Sequence, residues 1–277
     1  MSIAAQLARV QARLERLEGG RQAPAFLDPV ELAEAVGIRP DLWQTQVLRS
    51  TSSRLILNCA RQSGKSTVVA LLVLHTALFQ PGSLVLLLSP GERQSGEIFR
   101  KVMDAYRRIG RPVKALRENL LELELANGSR IIALPGQEHT VRGYSGAALL
   151  VVDEAARTAD DLYRSVRPML GVSHGRLALL STPWGKRGFF YEEWQRRDRW
   201  DAYEIPASMC PRISADFLDE EQATLGPWWY RQEYECEFSD VTDQLFGLDL
   251  VRAAISDEVV PLFRGGIDGT AAPSSVA

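Results

Sequence analysis

Between Arg54 and Phe79 a short apolar run, Arg54–Cys59, meets a tight turn, Arg61-Gln62-Ser63-Gly64-Lys65-Ser66-Thr67, and then a long apolar run from Lys65 to Phe79. Strand, glycine-bearing turn and helix beginning at Lys-Ser form a cradle in which backbone N–H groups and the positive end of the helix meet phosphate oxygens. In that geometry Ser63, Gly64, Lys65, Ser66 and Thr67 line the cradle. Lys65 reaches the β- and γ-phosphates, Ser66 takes a magnesium position, and Thr67 lies on the α-phosphate side. A Gly-Lys-Ser tripeptide alone is common by chance, and the GxxxxGK[ST] pattern wants glycine where Cys59 stands. The strand before it and the helix after it give the motif its weight.

The surrounding pattern alternates in the same way. Ser83–Ser89 reads as a leucine-rich strand, 92–109 as a helix, Leu120–Ala126 and Arg130–Leu134 as a hairpin around Asn127-Gly128, and Ala147–Val152 and Arg176–Leu180 as buried strands. Alternation of this kind predicts an α/β fold, a mostly parallel sheet with helices on both faces. Earlier, residues 1–18 read as an amphipathic helix with a narrow apolar stripe, ended by Gly19-Gly20, and Pro29–Val36 reads as a second helix. After Ser181, helix-compatible stretches near 187–198, 214–224 and 227–235 suggest a closing helical subdomain, and the tail from Gly265 is poor in large apolar residues.

Composition excludes several classes. A formal net charge of -3 argues against a generally basic nucleic-acid sheath, so contact with nucleic acid has to be local. Cys59, Cys210 and Cys236 stand far apart without a CxxC pair, against a disulfide framework or zinc site and in keeping with a reducing cytoplasm. No segment approaches the ~20 apolar residues of a membrane span.

The second chemical element is Leu149-Leu150-Val151-Val152-Asp153-Glu154, an apolar strand ending in two carboxylates. Phosphoryl transfer to water needs a metal held in line and a group that orients the nucleophile. Asp153 suits the first task and Glu154 the second. By itself such a pair is as readily a solvated strand end; the phosphate loop makes the chemical reading the stronger one.

Taken together, Trp43-Gln44, Arg61-Gln62-Ser63-Gly64-Lys65-Ser66, Val152-Asp153-Glu154-Ala155 and Ser181-Thr182-Pro183-Trp184-Gly185 resemble the ATPase domain of the large terminase subunit of tailed bacteriophages, over roughly residues 38–245. The resemblance implies a P-loop NTPase of the ASCE/RecA-like kind with a small C-terminal helical linker subdomain. It implies ATP and Mg2+ as cofactors and Walker A and Walker B roles for the loop and the Asp-Glu strand. Its motor moves viral double-stranded DNA, without reading sequence, into a procapsid. The implied partners are the portal protein, the small terminase subunit and further copies in a homo-oligomeric ring, five by resemblance, in the host bacterial cytoplasm and transiently at the portal. The early glycine is absent because this family commonly carries an arginine within the loop.

By position, Gln44 resembles the adenine-reading glutamine, whose amide both donates and accepts. Arg61 resembles the loop arginine that senses or stabilises the γ-phosphate, and Arg142, in Thr140-Val141-Arg142-Gly143, the arginine a neighbouring subunit inserts. The two compete for the transition-state role, and the sequence does not rank them. Ser181 and Thr182 resemble the coupling segment that senses loss of the γ-phosphate.

The expected organisation is an N-terminal helical region (1–37), a P-loop ATPase core (38–205), a linker or lid subdomain (206–262) and a loose tail (263–277). Phe263–Gly269 resembles the first strand of a terminase nuclease domain, with Asp268 as its first carboxylate. One aspartate cannot build a two-metal site, so cutting is not expected of this chain. Metal-dependent plasmid cleavage lost in Asp268→Ala would overturn that. Two other functions compete: a helicase-like nucleic-acid ATPase, which would normally bring a second RecA-like domain, and a truncated assembly factor that binds nucleotide without turnover.

Overall fold

The computed structural model describes residues 28–136 and 143–240. The predicted helix at 1–18, Arg142, Asp268 and the 263–277 tail lie outside the described residues. In chain order the elements are α1 (Pro29–Ala35), α2 (Leu42–Arg49), β1 (Arg54–Cys59), α3 (Lys65–Phe79), β2 (Leu84–Ser89), α4 (Glu92–Arg108), β3 (Ala115–Glu118), β4 (Glu122–Leu125), β5 (Arg130–Pro135), β6 (Leu149–Asp153), α5 (Asp160–Val166), β7 (Arg176–Ser181), α6 (Gly188–Gln195), β8 (Asp201–Ile205) and α7 (Ala215–Tyr234). The described residues up to Ser239 belong to one compact unit.

The strands form one eight-stranded sheet in the order β3-β4-β5-β2-β6-β7-β1-β8. Pairing is parallel from β5 to β8, and only the β3-β4-β5 end is antiparallel. Strands buried on both faces read as unbroken apolar runs, which is why Leu84-Val85-Leu86-Leu87-Leu88 and Leu149-Leu150-Val151-Val152 show no polar alternation. Successive residues feed opposite layers. Leu55, Leu57, Val85, Leu87, Leu149 and Val151 pack under α1 to α4, while Ile56, Leu86, Leu88, Leu150 and Val152 pack with residues of α5 and α6. Each fully buried leucine contributes about 1.5–3 kcal/mol to holding these layers together.

Two departures from the sequence reading matter. The chain returns to the sheet after Ser181, because β8 pairs in parallel with β1 through Leu55↔Asp201 to Cys59↔Ile205. Its residues, Asp-Ala-Tyr-Glu-Ile, are mostly half-buried at an edge and so lack an apolar signature. β3 likewise adds an unforeseen edge strand, exposed along Leu116–Glu118. The two helical stretches read at 214–224 and 227–235 are both present, as the two arms of α7, which meet at a kink at Gly226, whose φ of 75° and ψ of 164° are not helical, just before Pro227.

Parallel β6, β7 and β1 lie side by side, with Asp153 paired to Leu180 and Asn58 to Ser181. Their C-terminal tips therefore bring the phosphate loop, the Asp-Glu pair and Ser181-Thr182 to one edge of the sheet, the crevice where open α/β sheets bind ligands.

Candidate phosphate-binding and hydrolytic site

The loop is shaped by two left-handed residues. Gln62 has φ 57° and Gly64, the N-cap of α3, has φ 97°. The backbone conformation favours glycine at position 64, and a Cβ there would come within 2.9 Å of Gln44 Nε2 and push that amide aside. Flanking groups are anchored outward: Ala60 N–H donates to the Ile205 carbonyl and Arg61 N–H to the Glu233 carbonyl, each at 2.9 Å. Among the described residues, no backbone carbonyl outside the regular helices and strands accepts from the N–H groups of Gln62 to Ser66. Unspent donors at the start of a fifteen-residue helix constitute an anion nest.

Lys65 is buried, and its Nζ lies 3.3 Å from Thr182 Oγ1 and 3.5 Å from Glu154 Oε1. One cation thus ties together the loop, the β6 tip and the β7 tip. Glu154 follows the strand in a left-handed conformation, φ 48° and ψ 43°, which breaks β6 abruptly. Asp153 is only 5% exposed, and its Oδ1 has no hydrogen-bond partner among the described residues. Burial, reinforced by the Glu154 carboxylate and opposed by Lys65, pushes its acid up to about 7. An orphaned, buried carboxylate oxygen beside Lys65 fits a divalent cation: Asp153 and the half-buried Ser66 at the start of α3 are the residues that would hold it.

The remaining predicted residues take distinct places. Ser63 is fully buried beneath the loop, and Thr67 is half-buried on α3 with its N–H on the Gly64 carbonyl. Gln44 is buried against Gly64, with its Oε1 accepting from Asp41 N–H at 2.9 Å. Ser181 Oγ donates to the Thr182 carbonyl at 2.7 Å. Arg61 projects into solvent, and its Nε is 3.4 Å from Glu233 of α7. Arg142 lies outside the described residues.

Three residues at this site were missed by the sequence reading. Glu233, buried, is approached from the other side by Arg157 at 3.9 Å, and Arg157 in turn lies 4.2 Å over the Trp184 ring. Arg212, just before α7, holds both carboxylate oxygens of Asp41 at 2.9 and 2.7 Å and donates to the Ser63 carbonyl at 3.2 Å. Their partners lie far off in sequence, so no local pattern marks them.

Comparison with known proteins bears on the family and the fold. The sequence model of the family described as "Terminase large subunit, T4likevirus-type, N-terminal" matches residues 56–252. The chain is 28% identical over 256 residues to the terminase large subunit of Thermus virus P23-45, covering 79% of this chain and 53% of that protein. It is 27% identical over 224 residues to that of Escherichia phage T5, covering 76% and 50%. The chain therefore spans about half the length of these curated relatives. Among solved structures it resembles the Thermus phage P74-26 large terminase ATPase domain, with TM-score 0.68 and 21% identity over 79% of this chain and 100% of that one. It also resembles the large terminase of a further thermophilic bacteriophage in complex with ADP, with TM-score 0.60 and 13% identity over 72% and 54%. The fold, a mostly parallel sheet with helices on both faces, is that of large terminase ATPase domains.

Proposed function

Because this chain belongs to the T4-like terminase large-subunit N-terminal family, we propose that its site hydrolyses ATP to drive viral double-stranded DNA into a procapsid. The observation that carries the reading is Lys65 Nζ, suspended between Thr182 Oγ1 and Glu154 Oε1 above a buried, unpartnered Asp153 oxygen. Such a cation is poised to transfer to phosphate oxygens, and the loop N–H groups supply the rest of the cradle.

Magnesium, bound to Asp153 and Ser66, would neutralise charge developing on the phosphoryl oxygens. Glu154 orients the attacking water and takes its proton; the left-handed backbone at its Cα fixes the carboxylate next to Lys65. Gln44 reads the base edge, and Ser63, Gly64 and Thr67 complete the phosphate contacts. Either Arg61 inside the loop or Arg142 from a neighbouring copy supplies positive charge to the transferring group. When Lys65 engages phosphate, Thr182 loses its partner. Ser181-Thr182-Pro183-Trp184 then carries that change outward, since Trp184 packs beneath Arg157 and 6.1 Å from Trp229 of α7.

The proposed partners are duplex DNA gripped through its phosphates, the portal protein, the small terminase subunit and further copies of this chain in a ring, within the host bacterial cytoplasm. Among the described residues no helix is long and apolar enough to cross a membrane. The test is steady-state ATP hydrolysis by wild type, Lys65→Ala and Glu154→Gln. Each substitution should cost roughly a hundredfold or more in rate, the scale of lost acid–base and electrostatic catalysis. Equal rates in all three proteins would sink the assignment.

A further inference from the structure

We propose that Arg212 is a positioning residue of the nucleotide site, a latch that presets the phosphate loop and the base-reading helix before nucleotide arrives; this rests on the ATP-site reading above. Two facts carry it. Arg212 Nη2 donates to the Ser63 carbonyl at 3.2 Å, and the guanidinium grips Asp41 with two bonds at 2.9 and 2.7 Å.

The first contact acts through peptide planarity. None of the described peptide bonds is cis, so the Ser63 carbonyl and the Gly64 N–H point in opposite directions across one rigid plane. Pulling the carbonyl outward to Arg212 aims the Gly64 N–H into the cradle. With glycine on its far side, at φ 97°, this peptide has little steric bias of its own. If it flipped, an oxygen would face the phosphates in place of a donor.

The second contact acts on the base side. Asp41 is the N-cap of α2, and its N–H donates to Gln44 Oε1 at 2.9 Å, which fixes the amide that lies against Gly64. Fork-to-fork pairing with Arg212 holds that cap at a set distance from the loop. The Asp41 side chain is largely covered while the Arg212 side chain is half exposed, so the pair draws its directionality from the two-point geometry rather than from burial. One residue from the segment leading into α7 thereby joins the two halves of the site, phosphate and base, which are otherwise carried on separate elements.

The experiment uses the full chain with Arg212→Gln, Arg212→Lys, Asp41→Asn and the Arg212→Gln/Asp41→Asn double variant. Two readouts are followed: hydrogen exchange of the loop amides without nucleotide, and ATP affinity with steady-state kinetics. The latch predicts faster exchange over residues 62–66 in Arg212→Gln. It predicts an ATP Kd raised about tenfold, equivalent to about 1.4 kcal/mol, with the loss falling on KM rather than kcat. Lysine, with one point charge, should recover part of the affinity, and the double variant should be no worse than the worse single one. General misfolding would instead lower the active fraction and kcat. Unchanged loop exchange in Arg212→Gln, or an ATP Kd within about twofold of a wild type that binds ATP, would overturn the latch. Wild type that binds no ATP while loop exchange still responds to Arg212→Gln would sink the ATP-site reading and leave the loop-ordering role standing.

Discussion

Burial and the adjoining Glu154 push the Asp153 acid from an ordinary 3.8 up to about 7, and in the nucleotide-free protein that has a cost. Between those values the folded chain keeps a proton that the unfolded chain gives up, so the folded state binds more protons and stability falls as pH rises through the window. Above about 7 the penalty is complete. Asp153→Asn removes the charge while keeping the shape. It should therefore stabilise the nucleotide-free protein at pH 8 by on the order of a few kcal/mol, have little effect near pH 4, and abolish hydrolysis. Thermal melts of both proteins across that range check it, and equal pH dependence would refute the buried-charge account. At this scale the sequence was informative where chemistry sits in one short run: Lys65-Ser66 and Asp153-Glu154 announce themselves by residue type and flanking strand. Arg212 and Glu233 do not. Their roles arise from contacts with Asp41, Ser63, Arg61 and Arg157, which only folding brings near.

Gly226 governs the course of α7. Its φ of 75° and ψ of 164° lie in a region essentially reserved for glycine, and a Cβ there would meet nothing within 4 Å, so any penalty on substitution is conformational. Gly226→Ala should lower stability by about 1–3 kcal/mol, read as a reduced urea midpoint at unchanged slope. An unaltered midpoint would mean that α7 straightens without cost. Pro227, lacking an N–H, makes the break legible in the sequence, as do the two helical stretches on either side of it. Other elements were legible in proportion to their burial. β1, β2, β6 and β7, apolar on both faces, read directly as strands, and Asn127-Gly128 announced the β4–β5 hairpin. β8 did not, because an edge strand with one neighbour takes its conformation from β1 rather than from its own side chains.

For the molecule as a whole, 32 basic against 35 acidic residues leave a net charge of -3, so attraction to duplex DNA cannot come from the total field. Arg93, Arg100 and Arg107 recur every seven residues along α4, the spacing that returns to one face of a helix. Two of the three are already engaged. Arg100 pairs with Glu97 at 2.7 Å, and Arg107 with Glu118 at 2.8 Å and Asp104 at 3.6 Å. Exposed Arg93 has no acidic partner among the described residues, which leaves it the freest of them to meet a phosphate. If the chain moves duplex DNA as proposed, it has to grip the backbone without reading bases, so affinity should depend on salt and not on sequence. Binding of unrelated duplexes of equal length should be indistinguishable, with log affinity falling linearly in log salt by about 0.9 per phosphate neutralised. If Arg93 makes one such contact, Arg93→Glu weakens binding at low salt and makes that slope shallower by about one, without altering ATP hydrolysis in the absence of DNA. A slope that does not change in the variant would remove Arg93 from the DNA path.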